Sequence, residues 1–208
     1  MSDPATQIAH ALSRLAAFWR AAGWQSAGAR GLTPTQVDIL QHVAARGPLR
    51  GGDLARFLGV TAPTLTDAAN ALVAKGLAQR CPDPDDRRAN RLSLTDAGAG
   101  MIAALPDMPD PLRPVIAALP EAERGSLLRG LVQLIRGLQQ AEAIPTQRMC
   151  VTCRHFRPHA HDDAARPHHC AFVDAAFGDA ALRIDCADHG ETTAGEGARI
   201  WARFAAVA

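Results

Sequence analysis

The apolar positions of the chain fall into helical runs, interrupted once by a strand-like alternation. Between residues 4 and 22, Ile8, Leu12, Leu15, Ala16 and Trp19 recur at helical spacing with Phe18 beside them, and Gly23 offers a stop. This is an amphipathic helix that wants a partner. Thr33-Pro34-Thr35-Gln36 has the form of a helix start, with a capping hydroxyl, a proline at the first helical position and a glutamine able to close the capping box. The helix it opens carries Val37, Ile39, Leu40 and Val43 to Gly47-Pro48. A short helix follows over residues 53 to 58 and ends at Gly59. A third begins at Thr61-Ala62-Pro63 and turns Leu65, Ala68, Ala69, Leu72 and Val73 inward until Gly76.

Asp83-Pro84-Asp85-Asp86 is built from turn formers whose side chains bond their own backbone, so the chain reverses there. After it Leu92 and Leu94 alternate with Arg91, Ser93 and Thr95, the period of a strand with one buried face. Three helices, two tight connections and a hairpin make a winged helix-turn-helix order. Beyond Gly98, Pro106, Pro109, Pro111 and Pro114 prevent one long helix and leave separate pieces over 101 to 105 and 112 to 119. A helix resumes at Pro120 with acidic residues in its first turn and places Leu127, Leu128, Leu131, Leu134, Ile135 and Leu138 on one side. Together with the first helix it would form a dimerisation layer. Phe18, Trp19 and Trp24 read as core or subunit-interface packing rather than a ligand box.

Composition changes this picture in two places. Net charge is only +1, so attraction to nucleic acid must come from local patches, and of the 22 basic residues only Lys75 is lysine. No apolar run is long enough to span a membrane and residues 1 to 20 lack a leader pattern, which places the protein in the cytoplasm with no membrane partner. In such a reducing compartment five cysteines are not a disulfide scaffold. Cys81 stands alone and reads as a small buried residue, with a redox switch as the alternative. Cys150, Cys153, Cys170 and Cys186 share one segment with six of the eight histidines, and the composition shift sets a boundary near 143 to 146.

The wing is where the charge gathers. Arg87 and Arg88 sit at the hairpin tip, suited to the negative potential of a nucleic acid groove. Thr64, Thr66 and Asn70 of the third helix can read base edges, with Thr61 at its start. Arg50, Arg56, Lys75, Arg80, Arg87, Arg88 and Arg91 supply the attraction to phosphate. Asp67 either accepts a bond from cytosine or holds one of the wing arginines, and the second is favoured because a bare carboxylate near phosphates is unfavourable.

Leu54-Ala55 before Leu58-Gly59-Val60, then residues 72 to 80 (Leu-Val-Ala-Lys-Gly-Leu-Ala-Gln-Arg), then an Asp-Pro-x-Asp-Arg-Arg wing closing on Leu94-Thr95-x-x-Gly98, resemble the MarR family of bacterial transcriptional regulators over about residues 8 to 142. The resemblance implies a homodimer on double-stranded promoter DNA. The helix over 61 to 75 would lie in the major groove and the wing in the adjacent minor groove, with Asp86-x-Arg88 as the acidic residue and groove-entering arginine. It also implies repression as the commoner mode, and a small-molecule effector. This chain departs from the family in offering Asp67 where an arginine is common.

In the cysteine segment, Cys150-x2-Cys153 brings two sulfurs onto one metal, and Cys170 and Cys186 complete four thiolates. Zinc is the expected occupant, structural or sensory, and would supply folding energy to a segment too small and polar for its own core. An iron-sulfur cluster is the competitor, since the ligand order is similar in spacing to that of high-potential iron-sulfur proteins. Redox thiols are a third reading. His155 and His169 are nearest in sequence to substitute for a cysteine, His168 and His169 can form a second layer around the ligands, and most histidines would be solvated. Residues 190 to 197 read as a flexible joint, followed by a terminal helix with Ile200, Trp201, Phe204 and Val207 on one face, packed on the partner or the metal module.

The sequence thus predicts a mainly α chain. Residues 1 to 30 form a dimerisation helix, 31 to 100 the winged helix-turn-helix, 101 to 142 further dimerisation helices, 147 to 190 a four-cysteine metal module, and 191 to 208 a linker and helix. It predicts a DNA-binding regulator. The rival from another class is an iron-sulfur electron-transfer protein on a helical dimer domain. Neither a nucleophile constellation nor a phosphate loop is present, four thiolates would close a zinc shell, and the stretch from 150 to 188 has no glutamate to serve as base, so an enzyme is not expected.

Overall fold

Capping decides where the helices of the N-terminal half begin. In the computed structural model, which describes residues 3–86, 88–105 and 112–206, Asp3 caps α1 (Pro4–Gly28), Thr33 caps α2 (Pro34–Arg46) and Thr61 caps α4 (Ala62–Ala74). Each of the three has a proline in its first turn, where no backbone hydrogen bond is lost. The box at Thr33 is reciprocal: Thr33 Oγ1 accepts from Gln36 N at 3.3 Å and Gln36 Oε1 accepts from Thr33 N at 3.2 Å. Between them β1 (Leu49–Arg50) leads into α3 (Gly51–Leu58), which ends on Gly59 at φ +64°, a left-handed cap that suits glycine.

The strands β2 (Ala78–Pro82) and β3 (Asn90–Leu94) pair antiparallel, Ala78 opposite Leu94 and Pro82 opposite Asn90. β1 adds to the far edge of β3, giving the order β1-β3-β2. Ile39, Leu40, Leu54, Leu65, Leu72 and Leu92 form the core beneath, all buried. Thr95 caps α5 (Asp96–Ala103): its hydroxyl accepts from Gly98 N at 3.1 Å and donates to Gly76 O at 2.7 Å. These elements belong to one unit, Met1–Arg113, and the rest to another, Pro114–Ala208. Pro106, Pro109 and Pro111 lie outside the described residues.

In the second unit α6 (Leu112–Ala117, its start shared with the first) precedes α7 (Glu121–Gln140). A 3-10 turn at Cys150–Thr152 follows, then a small antiparallel sheet of β4 (Phe156–Arg157), β5 (His168–Cys170) and β6 (Ala175–Phe177) in that order. A second 3-10 turn at Asp179–Ala181 and α8 (Ala194–Ala205) complete it. α7 is apolar on two faces. Leu128, Val132 and Ile135 share a core with Met149, Val151, Phe156, Leu182 and Phe204, whereas Leu127, Leu134 and Leu138 stay about half exposed.

Two expectations are corrected here. The cysteine segment is not without a core, because α7 and α8 enclose it. Residues 190 to 197 are not a loose joint: Glu191 bridges to Cys153, Arg154 N donates to Gly190 O at 2.9 Å, and Thr193 and Glu196 form a capping box for α8. Glycine and threonine there serve close approach and capping, since a Cβ on Gly190 would come within 2.7 Å of the Arg154 side chain. Of the two places expected for Phe18, Trp19 and Trp24, the core of the single chain is not one they occupy: they are 38%, 49% and 60% exposed there. Val207 lies outside the described residues.

Candidate nucleic-acid interface and thiol cavity

The wing is held by one buried carboxylate. Asp83, whose side chain is fully enclosed, accepts from Arg50 Nε and from Arg91 Nε at 2.9 Å on Oδ2, and from Arg91 Nη2 at 3.1 Å and Asp85 N at 2.9 Å on Oδ1. Arg91 also reaches Asp85 at 2.7 Å. The guanidiniums of Arg50 and Arg91, with that backbone bond, hold the Asp83 carboxyl well below the usual carboxylate range. β1, β2 and β3 are thereby tied at the base of the wing, and the turn beyond is closed by Asp86, which accepts from Arg88 N at 3.0 Å. Arg88 itself is exposed. Arg87 lies outside the described residues.

The other predicted contacts fall on the same unit but differ in what they already bind. Thr64 Oγ1 and Thr61 Oγ1 are 2.8 Å apart in the cap, and Thr66 Oγ1 donates to Ala62 O at 2.8 Å. Asn70 Oδ1 accepts from Arg80 Nη2 at 2.7 Å, joining α4 to β2. Lys75 turns back into its own unit, donating to Gly31 O at 2.6 Å and Gln36 Oε1 at 2.9 Å. Arg56 pairs with Asp53 at 2.6 Å. Asp67 is exposed on α4, and Arg91 is held by Asp83 and Asp85 rather than by it. Sequence spacing missed Asp83 as the hub, although a carboxylate flanked by arginines at positions 87, 88 and 91 was the available signal.

A separate cavity of about 410 Å³ opens between α1 and α2, lined among others by Trp19, Trp24, Val37, Asp38, Gln41 and Leu105. Burial raises the Asp38 carboxyl above its ordinary value, with His42 acting against the shift.

The four clustered cysteines meet in the second unit. Cys150 and Cys153 flank the first 3-10 turn, Cys170 ends β5, and Cys186 follows the second turn. All four line one cavity of about 150 Å³, and Cys81 is not among them. Phe156, Phe172, Val173 and Phe177 supply much of its wall. Backbone amides face two of the sulfurs, Arg183 N to Cys150 Sγ at 3.3 Å and Gly190 N to Cys153 Sγ at 3.4 Å, and Arg183 Nη1 lies 3.8 Å from Cys186 Sγ. Burial, and after it the neighbouring Cys186, Cys153 and Cys170, push the Cys150 thiol up to about 11. A coordinated cation reverses such a shift, since a metal-bound thiol is deprotonated outright.

His155 lines this cavity, but His169 is turned to Asp174 at 3.3 Å and to His161 at 3.2 Å. His168, expected with His169 in a second layer around the ligands, is a core residue. It is wholly buried against Phe156, Phe177 and Phe204, and its Nε2 meets Asp179 Oδ1 at 2.8 Å. Burial lowers its pKa despite Asp179, and the bond to Asp179 links the sheet to the second turn. Among the described residues no helix is long and apolar enough to cross a membrane.

The MarR family profile matches residues 30–89, from the start of α2 through the helix-turn-helix into the wing. An uncharacterised protein of Mycobacterium tuberculosis is 33% identical over 142 residues, covering 64% of this chain and 96% of that protein. The HTH-type transcriptional repressor NicR of Pseudomonas putida is 29% identical over 128 residues, covering 62% of this chain and 77% of NicR. Staphylococcus aureus MepR in its DNA-binding conformation has the same fold at a TM-score of 0.56 and 22% identity, covering 63% of this chain and 98% of that one. BldR of Sulfolobus solfataricus gives 0.52 at 22% identity, covering 65% and 99%. More than a third of this chain lies outside each of these four matches. The profile falls on the helices and wing whose geometry is given above, and the chain belongs to the MarR family, a family of transcriptional regulators rather than enzymes.

Proposed function

We propose that the protein is a homodimeric, sequence-specific repressor of the MarR type that occupies double-stranded promoter DNA with α4 in the major groove and the wing in the neighbouring minor groove. The observation that carries this reading is the pinning of the wing by Asp83, which leaves the exposed Arg88 at a tip fixed relative to α4. A rigid wing presents its arginine without losing much conformational freedom on binding. Lys75, Arg50 and Arg91 have internal partners, so the share of Arg87 and Arg88 in phosphate and groove contact grows. The solved MepR in its DNA-binding conformation supports the same mode by fold.

Two further parts belong to this reading. Ile8, Leu12, Leu15, Phe18 and Trp19 of α1 form an exposed apolar stripe that a second copy would cover. The 410 Å³ cavity beside it is of the size small molecules occupy and would receive an effector that changes the spacing of the two recognition helices. In the other unit Cys150, Cys153, Cys170 and Cys186 form a thiolate ligand set for a metal centre, structural or sensory.

The test is binding of the full chain to a palindromic fragment from its own promoter region, followed by fluorescence anisotropy at moderate salt. Wild type should bind and Arg88→Ala should bind about tenfold more weakly. Equal affinity of the two would reject the wing assignment.

A further inference from the structure

The ligand set could hold either one ion or a cluster, and the cavity distinguishes them. A structural zinc draws four sulfurs to about 2.3 Å from one point, which puts the sulfurs themselves about 3.8 Å apart and leaves no space between them. Here the four cysteines are among the residues that line a volume of about 150 Å³, comparable to an engineered cavity that admits benzene. Among the described residues no three His, Cys, Asp or Glu side chains are grouped closely enough to hold a single ion. Four cysteines along one cavity, with no three such side chains among the described residues grouped for one ion, suit an occupant larger than a single atom.

The walls agree with that difference. Phe156 and Phe177, which also belong to the core of this unit, give the cavity an apolar wall together with Phe172 and Val173. Exclusion of water and hydrogen bonds to sulfur are what set the potential and lifetime of an iron-sulfur centre. The two amides aimed at Cys150 and Cys153 are already in place, fixed by the bridge from Cys153 to Glu191 and by Cys150 N donating to Arg183 O at 3.0 Å. The Arg183 guanidinium near Cys186 offsets part of the negative charge that four thiolates bring.

We propose that this cavity is the site of an iron-sulfur cluster ligated by Cys150, Cys153, Cys170 and Cys186. The inference rests on the reading of these cysteines as ligands and names what they hold. Phe172 and Val173, both more than half exposed, form the outer edge of the wall, so the cluster lies one apolar layer from solvent, within reach of oxygen or a redox partner.

The full chain, expressed and purified without oxygen, is analysed for iron, zinc and acid-labile sulfide and for visible absorption. The expected result is more than one iron per chain, sulfide in equal amount and a brown charge-transfer absorption, retained in Cys81→Ser and lost in Cys170→Ser and Cys186→Ser. If those two variants do not fold, the wild-type composition alone decides. One zinc per chain without sulfide would overturn the cluster and keep the ligand reading. Neither metal nor sulfide, in protein that also takes up none from ferrous iron and sulfide or from zinc, would overturn both. Failure of the same protein to bind DNA would reject the regulatory reading and leave the metal result standing.

Discussion

Asp83 receives Arg91 through two nitrogens, Nε at 2.9 Å and Nη2 at 3.1 Å, from a position with no solvent contact of its own. A buried carboxylate is tolerable only when paired, and here two guanidiniums and an amide do the pairing. Replacing Asp83 by asparagine keeps the shape and removes the charge, so Arg50 and Arg91 lose their common anchor. Faster amide exchange in β2 and β3 and a lower melting temperature are expected. DNA affinity should fall even though Asp83 faces no ligand, because the tip is no longer fixed. Unchanged exchange rates in the two strands would show that the ladder alone positions the wing.

The same group sets an acid limit. Its folded pKa lies below the unfolded value of about 3.9, so the folded state binds fewer protons and stability rises with pH between the two values. The stabilisation is complete above about pH 4 and is lost as the solution becomes more acidic. Denaturation midpoints measured from neutral pH downwards should therefore drop below that point in wild type and drop less in Asp83→Asn. Parallel curves would mean that other carboxylates govern the acid transition.

Gly98 is required by contact, not by backbone angle. A Cβ built there would sit 2.0 Å from the Leu77 carbonyl oxygen, which itself accepts from Thr95 N at 3.2 Å. Gly98→Ala must push α5 away from the start of β2 and should cost about 3 kcal/mol. Gly100→Ala in the same helix meets nothing within 4 Å and should be neutral or mildly stabilising. Chemical denaturation of the pair checks this, and equal midpoints would refute the contact argument.

Much of the first unit was legible because its signals are local. Thr33, Thr61, Pro34, Pro63, Gly59 and Gly76 each act within one turn of the chain, and the wing announces itself by alternation at Leu92 and Leu94. What stayed hidden is long range. Lys75 meets Gly31 and Gln36 some 39 to 44 positions away, and no spacing rule shows that a lone lysine faces inward. In the second unit β4, β5 and β6 have two or three residues each, too short for a period to register. The two apolar faces of α7 read as one in sequence, because a count of leucines does not say which face Val132 will share with Phe204. Four cysteines in one segment suggested a shared metal; only the fold shows that they line one cavity.

Phe204 tests how far α8 supports that cavity. It is fully buried, packs against Phe156 and His168, and lies 4.2 Å under the Arg129 guanidinium of α7. Phe204→Ala should cost about 4 kcal/mol. The loss should fall on the second unit, with faster exchange around Cys150–Thr152. If exchange there were unchanged, α8 would be an appendage rather than a wall of the module.

The inward turn of Lys75 separates two kinds of basic residue. Lys75→Met should lower stability by about 1 kcal/mol through its lost bonds to Gly31 and Gln36, yet leave the salt dependence of DNA binding unchanged. Arg88→Ala should do the opposite, sparing stability while flattening the slope of log affinity against log salt by about one. Thr64→Ala, a change in the cap of α4 that bears no charge, should keep the slope and alter which operator is preferred. Titrations of each variant at several salt concentrations provide the comparison. A reduced slope for Lys75→Met would mean that the lysine leaves its internal partners to meet phosphate when DNA arrives, and the division of labour between wing and helix would have to be redrawn.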